Sequence, residues 1–152
     1  MTGRSLTRAE VALAESVFGR AIDYDGVRIN NRKFIFFQPR RTAMAPNGSI
    51  WLHPKGDLYC EDFCARDLTD QGLFIHEMTH VWQYQSGVNL LIKRHPFCRY
   101  DYSLKPGWGL KRYGLEQQAE IVRHYFMVRE GYPLIGSPGI EVYRGILPFG
   151  GK

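Results

Sequence analysis

The chain has 152 residues, of which 44% are hydrophobic, 14% aromatic and 23% charged. This composition is typical of a folded globular protein and excludes disordered and fibrous chains, and the length predicts a single domain over residues 1–152. The formal net charge of +5 comes from scattered basic pairs without a basic run or an aromatic RNA-binding signature, so we do not expect nucleic acid as a partner.

No apolar run reaches the ~18 residues that a membrane span needs. The first residues mix charged and apolar side chains, whereas a secretory leader contains a continuous apolar stretch. We therefore expect no membrane partner and a protein that is cytoplasmic as synthesised. Export by a route that needs no cleaved leader stays open.

The cysteines are three in number, which is odd for a disulfide framework in a chain large enough to fold without one. We expect Cys60, Cys64 and Cys98 to be buried or free thiols. Cys60 and Cys64 could share one helical turn, but no second Cys or His pair follows at the spacing of a structural zinc site.

The first predicted helix covers residues 7–18. Thr7 and Glu10 have the spacing of a capping box, in which each residue satisfies a backbone N–H of the other. Gly19 follows directly and can end the helix.

Residues 27–53 predict strands and turns. Their apolar residues come in three short bursts, at 27–29, 34–37 and 50–52, separated by turn-forming residues. Connections this short favour a small, mostly antiparallel sheet of three or four strands. Residues 49–53 could form an exposed edge to which an extended peptide adds as a further strand, or a strand of the core.

A second helix is predicted over residues 70–86. This stretch lacks proline, has Thr69 or Asp70 as a candidate N-cap, and precedes Gly87, a residue favoured just beyond helix ends. Its side chains form two stripes at helical spacing, so both sides of the helix should contact protein. One stripe is Ile75, Met78 and Trp82, and the other is Leu73, His76, His80 and Gln83.

The remaining elements complete an α+β prediction. Residues 88–112 predict a long connection with room for one short strand, because prolines and glycines interrupt any period. Residues 115–129 predict a helix that stops at Gly131, and the tail predicts loop with a strand around residues 141–143. We therefore expect a small, mostly antiparallel sheet packed on the second helix, beside an N-terminal and a later helix.

The motif that indicates chemistry is His-Glu-Met-Thr-His at residues 76–80. Side chains four apart on a helix lie on one face, about 5–6 Å apart, so the imidazoles of His76 and His80 can bind one zinc ion. Glu77 points to a different face and is placed to act as a general base toward a zinc-bound water.

A catalytic zinc usually has three protein ligands, so a third must come from elsewhere. Glu116 and Glu120 lie four apart on one face of the later helix, where their charges repel each other unless a cation is near. One can bind the metal while the other accepts a hydrogen bond from a ligand histidine. A solvated acidic first turn is the alternative interpretation. Other candidate ligands are His53, His95 and His124.

These residues resemble the gluzincin branch of zinc metallopeptidases. The pattern of that family is HExxH followed by a helix with ExxxD or ExxAD, and residues 116–120 read Glu-Gln-Gln-Ala-Glu. The resemblance implies that Glu116 is the third ligand and Glu120 its outer partner. This chain has Glu where Asp is more usual, which leaves a swap of the two roles open.

A closer resemblance covers nearly the whole chain. Residues 6–7, 16–19, 76–83 and 116–120 are similar to small domains assigned as metallopeptidases that accompany bacterial Vgr and Rhs elements and contractile injection systems. The resemblance implies a single zincin-like domain, one Zn²⁺ ion, a peptide or protein substrate and a secretion-system protein as partner.

The expected function is therefore that of a zinc metalloendopeptidase with Glu77 as general base. Tyr113, Arg123 and His124 are candidate stabilisers of the transition state. The alternative is a non-catalytic module in which zinc joins two helices for a secretion or injection-system assembly. An open coordination position would distinguish the enzyme from that module. A third hypothesis, nucleic-acid binding, would require the basic pairs to converge on one face.

Overall fold

The computed structural model describes residues 3–93, 100–132 and 134–149, and it has the predicted α+β composition. In this part of the chain every helix is too short or too polar to cross a bilayer. The helices are α1 Arg8–Phe18, α2 Leu68–Gln85, α3 Leu90–Lys93, α4 Leu115–Arg129 and α5 Ile140–Ile146, and the strands are β1 Arg4–Ser5, β2 Arg28–Asn30 and β3 Ile50–Trp51.

Helix α1 begins at the predicted capping box. The Thr7 hydroxyl accepts from the Glu10 N–H at 3.0 Å, the Glu10 carboxylate accepts from the Thr7 N–H at 2.9 Å, and Gly19 ends the helix at a φ of 58°. Glu10 is fully buried because Arg4 contacts both carboxylate oxygens, at 2.8 and 2.9 Å, and the Phe63 N–H donates to it at 2.8 Å. This carboxylate therefore links β1, α1 and the turn before α2.

The sheet has three strands in the order β1-β2-β3. Strand β1 runs antiparallel to β2, but β2 and β3 are parallel, so the prediction of a mostly antiparallel sheet was wrong for this pair. The long connection of residues 31–49 allows the crossover that parallel strands require. β3 lies at the end of the strand order, but Trp51 exchanges backbone hydrogen bonds with Met44 at 2.7 and 3.0 Å, which occupy the edge suggested for a substrate strand.

The strand predicted at residues 34–37 was also wrong, since this segment forms a turn. The amide group of Gln38 replaces a strand partner: it accepts from the Phe34 N–H at 2.8 Å and donates to the Thr42 carbonyl at 2.7 Å. A buried side-chain amide can satisfy turn backbone in this way, which a hydropathy pattern does not reveal.

Helix α2 is the central helix, and residues 74–83 are buried without interruption. This confirms that both sides of the helix contact protein. The helix begins earlier than predicted, because Asp67, rather than Thr69 or Asp70, is the N-cap and accepts from the Asp70 N–H at 2.9 Å. Gly87 follows the helix with a φ of 95°, as expected for a residue beyond its end.

Helix α4 packs along α2 and has the predicted bounds. The helices approach closely at Gly72, where a Cβ atom would lie 2.9 Å from Met127 Sδ. The strand predicted around residues 141–143 was wrong, because these residues belong to α5. Tyr143 and Leu147, one turn apart, are both buried, and α5 packs on α4.

The described residues between α2 and α4 form mainly a connection, which contains the short helix α3 and a helical turn at Leu110–Arg112. Its described residues include no strand. Cys60 and Cys64 are free thiols, as expected, and burial raises the pKa of both. The predictions for Cys98 and His95 lie outside the described residues.

Candidate metal centre

Helix α2 presents two histidines toward α4. His76 and His80 lie one turn apart, with ring centroids separated by 5.1 Å. The Nε2 atoms of the two rings are 3.2 and 3.0 Å from the same oxygen, Glu116 Oε1. All three side chains are buried, so the central and later helices together form one compact donor group.

This group could hold a metal ion. Its three candidate ligand atoms lie within 4.8 Å of one another, and in the described part of the chain no other group of at least three possible ligands was found. Two imidazole nitrogens and one carboxylate oxygen form a donor set that zinc accepts, with a fourth position left for water or substrate.

Each histidine has a partner on the ring nitrogen that faces away from the group. Glu120 Oε2 lies 2.7 Å from His76 Nδ1, and Gln83 Oε1 lies 2.8 Å from His80 Nδ1. When Nδ1 donates to these oxygens, each Nε2 keeps a free lone pair for a metal. Glu116 and Glu120 thus occupy different positions, one inside the donor group and one behind it.

Gln83 is a residue of the site to which the sequence analysis gave no role. Its amide nitrogen lies 3.0 Å from the Leu115 carbonyl and 3.0 Å from Gln118 Oε1, so it joins His80 to the start of α4. The available signal was its position three residues after His80 in the same stripe, where helix side chains meet.

The carboxylates of the site shift the pKa values of His76 and Glu120. Burial opposes protonation of His76, but hydrogen bonds to Glu116 and Glu120 and the charge of Glu77 outweigh it and raise the pKa of His76 to about 10. Burial alone would raise the pKa of Glu120, but the hydrogen bond to His76 and the charge of Arg123 hold it below its ordinary value. In the metal-free site, His76 therefore has a proton on both ring nitrogens at neutral pH and is positively charged.

Glu77 lies beside the donor group rather than behind it. Its Oε2 is 3.8 Å from His76 Nε2, and its side chain is buried. The carboxylate is therefore next to the nitrogen that faces the candidate metal position, where a water molecule would also lie.

Of the three candidate transition-state stabilisers, two border Glu120. Arg123 Nη1 lies 3.4 Å from its Oε2, and His124 Nε2 lies 3.8 Å from its Oε1. Burial and the charge of Arg123 lower the pKa of His124. Tyr113 is placed differently: its hydroxyl accepts from the Lys105 N–H at 2.9 Å.

A cleft of about 860 Å³ opens beside the site, and Glu120, His124, Tyr100 and Tyr102 are among its lining residues. The Tyr100 ring stacks on His76 with centroids 5.9 Å apart, and the Tyr102 hydroxyl lies 2.6 Å from His124 Nδ1. Sequence reasoning missed both tyrosines, because they lie in a connection without any period that would fix their direction.

Two of the other candidate third ligands, His53 and His124, lie outside the group. His53 Nδ1 accepts from the Lys55 N–H at 3.0 Å, and His124 lies behind Glu120 as described. His95 is not among the described residues.

Comparison with known proteins finds similarity to a protein of a bacterial secretion system. No protein-family model matches the chain. Over 140 residues the chain is 42% identical to the type VI secretion system spike protein VgrG2b of Pseudomonas aeruginosa, covering 86% of this chain and 13% of that protein. The chain thus spans about an eighth of the length of its curated relative.

A solved structure, the effector domain of Pseudomonas aeruginosa VgrG2b, matches with a TM-score of 0.84 and 39% identity. The match covers 96% of this chain and 84% of that domain, so both sequence and fold agree over nearly the full length of the two. The chain therefore belongs to the family of the VgrG2b effector domain.

Proposed function

We propose that this chain is a zinc-dependent metallopeptidase domain with a zincin-like fold, and that it acts as an effector of a type VI secretion system. The observation that carries the proposal is the convergence of the His76, His80 and Glu116 ligand atoms within 4.8 Å, with the Glu77 carboxylate beside them. The relationship to a domain named as an effector supports delivery by secretion machinery after synthesis in the cytoplasm.

The donor set fits one Zn²⁺ ion, held by His76, His80 and Glu116. When bound by these residues, zinc would supply Lewis-acid chemistry, activating water as a nucleophile and polarising the carbonyl group of a peptide. Glu120 and Gln83 accept hydrogen bonds from the Nδ1 atoms and so orient the two imidazoles.

Glu77 is the proposed general base. It accepts a proton from the attacking water and returns it to the leaving amine, which a carboxylate within reach of both atoms can do. Its position 3.8 Å from His76 Nε2 brings it near the reacting atoms without making it a ligand.

Arg123 and His124 are the proposed donors to the oxygen of the transition state. With a lowered pKa, His124 is neutral, so Nδ1 can accept from the Tyr102 hydroxyl at 2.6 Å and Nε2 then bears the hydrogen. That N–H lies at the cleft, where a substrate carbonyl would enter. Tyr113 stays a prediction for this role, since its hydroxyl accepts from Lys105.

The test compares the parent protein with Glu77→Gln. We expect the variant to bind one zinc per chain, as the parent does, and to lose cleavage of a peptide library. The matched control is Glu15→Gln, which removes the charge of an exposed carboxylate on α1 and should leave both properties unchanged. If Glu77→Gln cleaves as fast as the parent, the assigned base is wrong.

A second candidate function is that of a non-catalytic module. The names of the relatives favour it, because they describe a spike protein and an effector domain and mention no reaction. In this function zinc joins α2 to α4 and stabilises a non-catalytic module that binds a secretion-system protein. X-ray absorption of the zinc-loaded protein separates the two functions, because the module predicts a fourth protein ligand and the enzyme predicts water there.

A further inference from the structure

Two neighbouring phenylalanines protrude from the turn that precedes β3, and the proposed peptidase site does not use them. Phe36 is 84% exposed and Phe37 is 67% exposed, and their rings meet edge to face with centroids 5.1 Å apart. Two adjacent phenylalanines at this exposure form a small apolar patch, a feature found at interaction sites. We call this pair the Phe36–Phe37 tip.

The turn that bears the tip is held by hydrogen bonds and by an aromatic contact. Gln38 is buried, accepts from the Phe34 N–H at 2.8 Å, and donates to the carbonyls of Thr42 at 2.7 Å and Trp51 at 3.0 Å. The Phe34 ring packs edge to face on Trp51, with centroids 5.6 Å apart. The half-buried Phe34 ring therefore packs on Trp51, whereas the other two phenylalanines of the segment stay exposed.

Basic side chains lie on the segment that bears the tip and on the turn packed against it. Lys33 Nζ donates to the Phe36 carbonyl at 3.1 Å, which places its ammonium group beside the tip. The turn that carries Lys55 packs against the same segment, because a Cβ atom at Gly56 would collide with the backbone oxygen of Arg40. Only glycine permits this approach. It brings the positive charges of Lys33, Arg40 and Lys55 close to one another and to His53.

The electrostatics of a neighbouring histidine agree with this convergence. Burial lowers the pKa of His53, and the positive charges of the three cations just named lower it further. Arg32 and Arg41 add two exposed positive charges to the same segment. Asp57 is an acidic residue on this side, and its largely exposed carboxylate is 4.0 Å from Arg41.

We propose that the Phe36–Phe37 tip and its surrounding cations bind the surface of an anionic phospholipid bilayer. The phenyl rings enter the boundary between headgroups and acyl chains, while the Lys and Arg side chains contact lipid phosphates. This binding needs no membrane-spanning segment, so it revises the expectation of no membrane partner without conflicting with the helix lengths.

The geometry favours lipid over single-stranded nucleic acid. Successive bases stack on flat aromatic faces along a groove, whereas the two rings lie at 88° to each other and protrude from a turn. An insertion into a lipid interface requires only that the rings protrude and that positive charge lies around them.

The test measures sedimentation of the full chain with vesicles of phosphatidylcholine and phosphatidylglycerol, and with vesicles of phosphatidylcholine alone. We expect binding to the anionic vesicles that weakens as salt is added. Phe36→Ala with Phe37→Ala should lower the affinity by about ten-fold or more, since both apolar side chains are lost. Arg40→Gln with Arg41→Gln should lower it by about twenty-five-fold, at roughly five-fold for each cation.

The matched controls are Leu91→Ala, which removes a side chain that is 63% exposed on α3, and Arg8→Gln with Arg20→Gln, which removes two exposed charges of α1 and the turn that follows it. These variants should retain nearly all of the parent's affinity. Equal binding to neutral vesicles, equal losses in control and tip variants, or a lack of vesicle binding at low ionic strength would overturn the proposal. Tip-dependent binding of single-stranded DNA in place of vesicles would also overturn it.

The proposal stands apart from the peptidase assignment. Glu77→Gln should bind vesicles as the parent does, and the Phe36→Ala, Phe37→Ala protein should bind zinc as the parent does. Failure of one proposal is therefore measured separately from failure of the other.

Discussion

Replacing Glu120 with Gln, and separately Glu116 with Gln, tests which of the two glutamates binds the proposed zinc and which one contacts only a ligand histidine. Glu120 contacts His76 through Nδ1 at 2.7 Å, so Glu120→Gln keeps an oxygen acceptor but removes its charge. Losing an outer partner typically weakens metal binding by about 10- to 100-fold, or ~1.4–2.7 kcal/mol. Glu116→Gln removes the charged oxygen that contacts both Nε2 atoms, so its loss should exceed about 100-fold.

The assay is a competition titration of zinc between each variant and a chromophoric chelator, with Glu15→Gln as the control that retains the parent's affinity. A larger loss in Glu120→Gln than in Glu116→Gln would refute the assignment and exchange the roles of the two glutamates. Similar small losses in both variants would mean that the later helix supplies no ligand.

The remaining expectations concern stability and protons. Zinc at about 100 times its Kd should stabilise the parent by ~2.7 kcal/mol, a Tm increase of about 5–11 °C by calorimetry, and His76→Ala should show none of this increase. His76 has a pKa of about 10 without metal and must be neutral to bind zinc, so zinc binding at neutral pH should release about one proton and the zinc affinity should rise with pH up to about 10. Titration calorimetry in two buffers of different ionisation enthalpy measures the released proton. Zinc binding without proton release would contradict this prediction. Arg4→Met leaves the fully buried Glu10 carboxylate without its cation, which costs about 3 kcal/mol and lowers the Tm by about 6–12 °C, whereas Arg8→Met at an exposed position should leave it unchanged.

The helices were predictable because their signals are local. The capping box of Thr7 and Glu10 and the bounds of α4 were confirmed by the structure, since caps and apolar periodicity depend on neighbouring residues. The His76, Glu77 and His80 spacing also follows from one helix, and the relationship to VgrG2b confirms the Vgr association that the sequence resemblance implied.

The strand pairing and the aromatic contact with His76 were not predictable from local signals. The turn at residues 34–37 has strand-like residues, but the buried Gln38 amide overrides their preference by bonding the turn backbone. The parallel pairing of β2 and β3 depends on a long crossover, and the stacking of Tyr100 on His76 depends on a connection without periodicity. The zincin-like fold, the single domain over residues 1–152 and the identity of the metal stay predictions.

Gly72 sets how closely α2 and α4 approach, and with it the spacing of the proposed metal ligands. It lies one turn before His76, where a methyl group would press on Met127 Sδ at 2.9 Å and on Arg123 at 3.4 Å. Because the proposed ligands come from two helices, the distance between the ligand atoms depends on the distance between those helices. Related sequences with a bulkier residue at this position would hold the same ligands at a wider spacing, so ligand identity alone would not rank their affinities.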